Sequence, residues 1–229
     1  MVLGMAGRNR SNPLALAVLS CLIERPMHPY EIGQTLRARA KHDSVKLNFG
    51  SLYNVVEALE KRGMVSARET VREGRRPERT IYEITDAGSR ELTEWLAELV
   101  STPTKEYLQF VVALSFLPGL PPTEALELLR TRILALEYHL AQMRAVHDAA
   151  VSHKLPRLFL LESEYEEALL RAELTFVREL VEQMATGDLG GLDEWSSWYA
   201  PGAPVPEGPD PREVEILARM TDEPWGEAR

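Results

Sequence analysis

Small polar side chains suited to hydrogen bonding with DNA are concentrated at the start of one predicted helix. Between residues 48 and 63, apolar side chains recur at positions 52, 55, 56 and 59, the spacing of one buried stripe on an amphipathic helix. Asn48 can cap the start of this helix, and Gly63 can end it in the left-handed conformation. In a major groove an asparagine amide can bond base edges, whereas serine and tyrosine hydroxyls can bond phosphates. The candidate DNA contacts are Asn48, Gly50, Ser51, Tyr53 and Asn54, together with Lys46 in the basic link before the helix.

A predicted β-hairpin rich in arginine follows this helix. Residues 65–72 and 78–84 are rich in β-branched side chains, and residues 73–77, Glu-Gly-Arg-Arg-Pro, have the composition of a turn. A solvated charged face would also carry arginines, but the nearby glutamates offset only part of this charge. We therefore expect the arginines to contact phosphates. They are Arg68, Arg72, Arg75, Arg76 and Arg79.

The order of these elements predicts a winged helix-turn-helix. Two helices precede the one described, the first from Pro13 to about Arg25 and the second beginning near Pro29, with Tyr30 facing inward. Three helices followed by a basic hairpin are typical of a winged domain, in which the second and third helices read DNA and the hairpin is the wing. A fourth helix, at about residues 86–100, has apolar residues on one stripe at positions 92, 95, 96 and 99. The predicted fold class is mainly α (α+β).

Two long helices are predicted in the C-terminal half. The first opens at Pro121–Pro122 and the second ends at Gly187, and each has apolar residues at alternating spacings of three and four. Such seams can pack on each other within one chain or on a second copy of it. A winged module rarely binds DNA tightly alone, so we expect a homodimer with recognition helices about 34 Å apart. The candidate interface residues are Leu126, Leu129, Ile133, Leu136, Leu140, Met143, Tyr165, Leu169, Phe176 and Leu180.

The predicted organisation has four parts. Residues 1–11 form a flexible arm, residues 12–100 the winged domain, residues 104–199 a helical dimerisation and effector domain, and residues 200–229 a Pro-rich tail. The apolar stretch that opens the helical domain is the candidate effector pocket. Its candidate residues are Tyr107, Phe110 and Phe116.

The charge distribution also favours a nucleic-acid partner for the N-terminal part. Residues 1–85 hold 14 Lys and Arg against 9 Asp and Glu, a net charge of +5, whereas residues 86–229 hold 12 against 26, a net of −14. Such asymmetry indicates a polyanion partner for the basic part and confines that partner to one part of the chain. A winged helix that binds proteins without reading DNA is the alternative, but it would not require five arginines beside a small polar helix end.

Enzymatic and membrane functions find little support in the sequence. The five histidines form no group with metal-ligand spacing, and no phosphate-binding glycine loop or Gly-x-Ser-x-Gly motif occurs, so no metal or cofactor is expected. Cys21, the single cysteine, lies in a predicted buried helix. The apolar run 14–23 is too short to cross a membrane, and its preceding Ser-Asn-Pro is typical of a helix start, so a cytoplasmic location is expected.

These segments together resemble the PadR family of transcriptional regulators. The resemblance is carried by residues 28–32 (HPYEI), 50–53 (GSLY), 59–63 (LEKRG), 81–88 (IYEITDAG) and 91–96 (ELTEWL). It covers residues 12–100 closely, and the helical remainder looks like the larger branch of the family. The resemblance implies a homodimeric repressor that binds a palindromic operator and is released by a small molecule, a phenolic acid in the founding member. It assigns Ser51 and Tyr53 to the recognition helix and residues 72–79 to the wing, and it leaves the Pro-rich tail and the identity of the ligand open.

Overall fold

The chain divides into two compact units, and the division falls between Glu106 and Tyr107. The computed structural model describes residues 12–41, 44–71 and 79–202. The first unit carries three helices, a two-stranded hairpin and a fourth helix, and the second consists of helices. This architecture confirms the predicted fold class.

The first unit is built around α1. Its elements are α1 Pro13–Leu22, α2 Pro29–Ala38, α3 Phe49–Lys61, β1 Val65–Val71, β2 Arg79–Ile84 and α4 Asp86–Ser101. The side chain of Asn12 caps α1 by accepting a hydrogen bond from Leu14 N at 3.1 Å. Val18 and Leu19 have no exposed surface, because α2, α3 and α4 all pack against α1. The helix stops at Leu22, short of the predicted Arg25, since the following residues turn before Pro26.

The wing is an antiparallel hairpin with an additional bridge at its base. Val65 lies opposite Ile84, and the register shifts between Ala67 and Glu69, an irregularity that adds twist. Met27, in the link between α1 and α2, pairs with Tyr82 through two backbone hydrogen bonds of 3.0 Å. The hairpin is thereby fastened to the start of the helix-turn-helix.

The junction between the wing and α4 is very close. The hydroxyl of Thr85 donates to the carbonyl of Gly63 at 2.7 Å and accepts from Gly88 N at 3.1 Å, so Thr85 caps α4. A Cβ on Gly88 would lie 2.1 Å from the carbonyl oxygen of Met64, so only glycine fits there. The predicted apolar stripe of α4 is divided: Leu92 and Trp95 are buried, whereas Leu96 and Leu99 are exposed.

The second unit is organised around two long antiparallel helices. Its elements are α5 Gln109–Ser115, α6 Pro122–Ser152, α7 Leu161–Thr186 and α8 Leu192–Ser197, with short 3-10 turns at Leu117–Gly119 and Arg157–Phe159. Ion pairs join the long helices, among them Arg132 with Glu173 and Arg178 with Glu137. Gly187 ends α7 with a φ of +85°, the left-handed conformation that glycine adopts without strain.

Helix α7 has two apolar faces. One face packs against α6 and includes Leu170, Leu174 and Val177. At about 100° per residue, a second stripe lies on the opposite side of the helix. This α7 stripe consists of Leu161, Tyr165, Leu169, Ala172 and Phe176, and all five residues are exposed.

Candidate nucleic-acid interface

The N-terminal half of α3 presents the predicted polar side chains on one exposed surface. Asn48 Oδ1 accepts a hydrogen bond from Gly50 N at 2.9 Å, which caps the helix as the sequence predicted. On the opposite side, the helix buries an apolar stripe in the core, at about 1.5–3 kcal/mol for each fully buried side chain. The buried residues are Leu52, Val55, Val56 and Leu59. The exposed residues are Gly50, Ser51, Tyr53 and Asn54.

Charge along α3 restricts which end can approach a polyanion. The helix begins with no acidic residue in its first turn, and its first backbone N–H groups carry the positive end of the helix dipole. Glu57 and Glu60 are exposed farther along the same helix and would repel phosphates. A DNA contact by α3 is therefore favoured at its N-terminal end, the end that recognition helices insert into the major groove.

Basic residues flank this surface. Lys46 is exposed two residues before Asn48, and Arg79 is exposed at the start of β2. Arg68 is exposed on β1 and lies 3.6 Å from Glu83 on β2, a weak surface pair that leaves its guanidinium accessible. The predicted contacts Arg72, Arg75 and Arg76 lie outside the described residues.

His28 joins α2, α3 and the wing, a role that sequence reasoning did not assign. Its Nδ1 accepts a hydrogen bond from Tyr30 N at 3.1 Å and so caps α2, while its ring meets Tyr53 edge to face with centroids 6.1 Å apart. Burial lowers the pKa of His28 below its ordinary value, and the nearby Arg79 lowers it further. The imidazole is thus kept neutral beside the exposed surface of α3.

An aromatic stack fixes the first turn of α3. The ring of Phe49 lies 5.5 Å from that of Tyr30 at an interplanar angle of 23°, and Arg37 Cζ lies 4.4 Å from the Phe49 ring centroid. A Cβ on Gly33 would come within 2.6 Å of Phe49 Cε1, so the glycine makes room for the ring. Tyr30 was predicted to face inward, but it is 47% exposed because its ring lies over Phe49 at the surface. The glycine one turn after Tyr30 was the available sequence signal for this stack.

The predicted dimer residues of α6 and α7 fall into two groups. Along α6, Leu129, Leu136 and Leu140 are buried against α7 of the same chain, Leu126 and Ile133 are partly buried there, and Met143 is half-buried. Leu180 also packs in this internal core. Tyr165, Leu169 and Phe176 lie on the exposed α7 stripe. The α7 stripe is therefore the part of the predicted set that could meet a second chain.

The three predicted effector residues have different surroundings. Phe110 is half-buried, with Arg132 Cζ 3.7 Å from its ring centroid. Tyr107 is 81% exposed and Phe116 is 74% exposed. None of the three lines the pocket of the second unit, which is bordered by their neighbours Leu114 and Leu117.

The described part of the chain was also compared with what a metal site, a reactive thiol and a membrane-spanning helix require. Residues 12–41, 44–71 and 79–202 contain no group of three or more His, Cys, Asp or Glu side chains that could hold a metal ion. Burial raises the pKa of the Cys21 thiol to about 11, so the thiolate is scarce at neutral pH. Across the same residues, no helix is both long and apolar enough to cross a membrane.

Three helices followed by a two-stranded hairpin, with an exposed polar end on the third helix, define a winged helix-turn-helix fold. The sequence model of the transcriptional regulator PadR-like family matches residues 18–94. The matched residues lie within the first unit, so its winged domain is similar to that of the PadR-like transcriptional regulators.

Solved structures share the fold over most of the chain. Bacillus subtilis PadR in complex with operator DNA has a TM-score of 0.59 and 20% identity, covering 76% of this chain and 99% of that one. The same protein in complex with p-coumaric acid has a TM-score of 0.62 and 17% identity, covering 75% and 98%. The Vibrio cholerae virulence activator AphA has a TM-score of 0.57 and 18% identity, covering 76% and 99%. No curated protein sequence matches the chain.

Proposed function

We propose that this regulator is a homodimeric repressor that binds a palindromic operator and is released from it by a small organic ligand. The observation that carries the proposal is the exposed, acid-free N-terminal end of α3 beside the basic wing. The structures of Bacillus subtilis PadR with operator DNA and with p-coumaric acid support the same kind of function here.

Residue roles follow from the chemistry of the exposed side chains. Asn54 and Ser51 are suited to contacts at base edges, since they are small hydrogen-bonding groups on the outer face of α3. Tyr53, Lys46 and the arginines of the wing are suited to phosphates, which would set the register of the protein on DNA. Asn48 serves first as the helix cap, because its side-chain oxygen already accepts from Gly50 N.

The α7 stripe supports the dimeric part of the proposal. Leu161, Tyr165, Leu169 and Phe176 expose large apolar side chains in a row, on the side of α7 that the α6 contact leaves open. Exposed apolar patches of this kind mark surfaces for association. A two-fold dimer would present two copies of α3 to the two halves of a palindrome.

The roles on DNA can be separated with two variants. Asn54→Ala should remove about 1–3 kcal/mol of discrimination between the native upstream promoter fragment and a scrambled one. Arg79→Ala should weaken binding to both fragments and lower the salt slope by about one unit, because one phosphate contact is lost. Arg130→Ala, in the second unit, is the matched control for loss of a positive charge and should change neither quantity.

Binding of the protein to the native and scrambled DNA fragments, measured at two salt concentrations with and without ligands, distinguishes a DNA-reading regulator from a protein-binding winged helix. Preference for the native fragment that is lost with p-coumaric acid or another small aromatic compound would support a ligand-released regulator. Unchanged preference in Asn54→Ala would contradict the assignment of α3 residues to base contacts. Equal binding of both fragments at either salt concentration would favour a winged-helix protein that binds other proteins instead of reading DNA.

A further inference from the structure

The second unit contains a surface pocket that the DNA-binding function does not use. The pocket encloses about 420 Å³, within the range of about 300–1,000 Å³ typical of small-molecule sites. It lies among the end of α5, the C-terminal part of α7 and the start of α8. Its apolar walls are formed by Leu114, Leu117, Pro118, Leu180, Leu189, Trp195 and Trp198, and by Phe176, which is also the last residue of the α7 stripe.

Two hydrogen bonds hold the aromatic side of this pocket in place. Trp195 is 6% exposed, and its indole Nε1 donates to the carbonyl of Leu120 at 2.9 Å. Tyr199 Oη donates to the carbonyl of Pro118 at 2.7 Å. Trp198, which lies between these two anchors and is 40% exposed, therefore presents its indole on a fixed segment. A prearranged wall of this kind lowers the entropic cost of binding a ligand.

Acidic residues predominate in the segment that forms one side of the pocket. Glu194 is the only charged residue among those that line it. Residues 179–202 contain five acidic residues and no Lys or Arg. The C-terminal end of α7, where the helix dipole is negative, lies in the same segment. Glu194 would repel a carboxylate ligand and attract a cation, and the tryptophans that line the pocket are the residues best suited to a cation–π contact.

We propose that this pocket binds a small aromatic cation, with the ring against Trp195, Trp198 and the leucines and the positive charge beside Glu194. The proposal goes beyond the DNA-binding function and does not rest on ligand release, since it concerns binding within the second unit. It also distinguishes this pocket from a site for p-coumaric acid, whose carboxylate has the opposite charge.

The test is a ligand-observed NMR titration of the full chain with benzyltrimethylammonium and with 3-phenylpropionate, an anion of similar size. The cation should bind saturably and at least about fivefold more tightly than the anion. Glu194→Gln should weaken cation binding by about threefold, because it removes the charge and keeps the shape. Asp193→Asn removes the neighbouring charge from the same exposed turn but does not line the pocket, and it should leave the affinity unchanged.

A second variant removes the aromatic contact without disturbing the buried anchor. Trp198→Leu should weaken cation binding by about fivefold, because the cation–π contribution is lost. Absence of saturable cation binding, or equal affinity for cation and anion, would overturn the proposal. The proposal would also be overturned if Glu194→Gln and Trp198→Leu both bound the cation as tightly as Asp193→Asn does.

Discussion

The side chain of His28 interacts with three elements of the first unit. It caps α2, contacts Tyr53 on the exposed surface of α3 and lies near Arg79 of the wing. The cap requires a neutral ring, since Nδ1 must accept from Tyr30 N. Burial and Arg79 lower the pKa of His28, while Glu31 opposes them. The same environment that forms the cap therefore also keeps the ring uncharged.

Replacing His28 with asparagine should make the stability of the protein less dependent on pH. The pKa of His28 is lower in the folded protein than its ordinary value of 6.5, so the unfolded chain binds the proton first as the pH falls. The stabilisation is fully present above pH 6.5 and is lost as the pH falls below it. Asparagine caps helices well and does not titrate, so the stability at pH 7.5 should change by no more than about 1 kcal/mol.

Thermal unfolding of both proteins at pH 7.5 and pH 5.5 measures this difference. The wild type should lose more stability than His28→Asn on going to the lower pH. The other ionisable groups are shared, so their contribution cancels in the comparison. Equal losses in the two proteins would show that His28 keeps its ordinary pKa in the folded state.

At the scale of elements, the packing of α2 against α3 depends on one small residue and one large one. Gly33 on α2 leaves the space that the ring of Phe49 fills at the first turn of α3. Tyr30 and Arg37 hold this ring from α2, so it has little freedom to move aside. The contact therefore sets how the start of the recognition helix lies on its neighbour.

A double-mutant cycle tests this coupling. Gly33→Ala should destabilise the wild type by about 1 kcal/mol, because overpacking of about 1–3 kcal/mol exceeds the helix-propensity gain of about 1 kcal/mol. In a Phe49→Leu background the closest contact is removed and only Leu52 Cδ2, at 3.2 Å, stays tight, so the same change should destabilise less or be close to neutral. Chemical denaturation gives both values. The same sign and size of effect in the two backgrounds would mean that Gly33 and Phe49 are not coupled.

The periodic elements could be predicted from the sequence, whereas their lateral contacts could not. Asn48 and Gly63 marked the ends of α3 because capping depends on local chemistry. The stack on Phe49 and the bridge between Met27 and Tyr82 join segments whose packing no local pattern encodes. On α7, the apolar residues that face α6 and those of the exposed stripe recur with similar spacing. Only the position of α6 decides that Leu174 is buried and Leu169 exposed.

At the scale of the whole molecule, the exposed α7 stripe predicts the effect of a charge on assembly. Leu169→Glu should give monomers in sedimentation velocity, because a carboxylate would be buried without a partner in the proposed interface. The monomer should keep its fold, since Leu169 is 53% exposed within one chain. Leu136→Glu would not be informative, because Leu136 is 7% exposed and belongs to the core between α6 and α7.

Ala185→Glu is the matched control for this experiment. Ala185 is exposed on the same helix but off the stripe, so its glutamate should leave the dimer intact. A wild type that sediments as a monomer would remove the stripe from consideration as an interface. An unchanged dimer in Leu169→Glu would assign the interface to another surface.

The close approach of Gly88 to Met64 predicts that the start of α4 and the base of the wing move together. At Gly88 the backbone of α4 packs directly on the carbonyl of Met64 at the base of the wing. Because no side chain lies between them, neither segment can shift there without moving the other. With 16 residues, α4 is about 24 Å long, and its far end, Ser101, lies five residues before the division between the two units. Because α4 also packs on α1, a displacement of its start would be shared by the hairpin and by the core of the first unit. This direct contact exists because Gly88 has no Cβ.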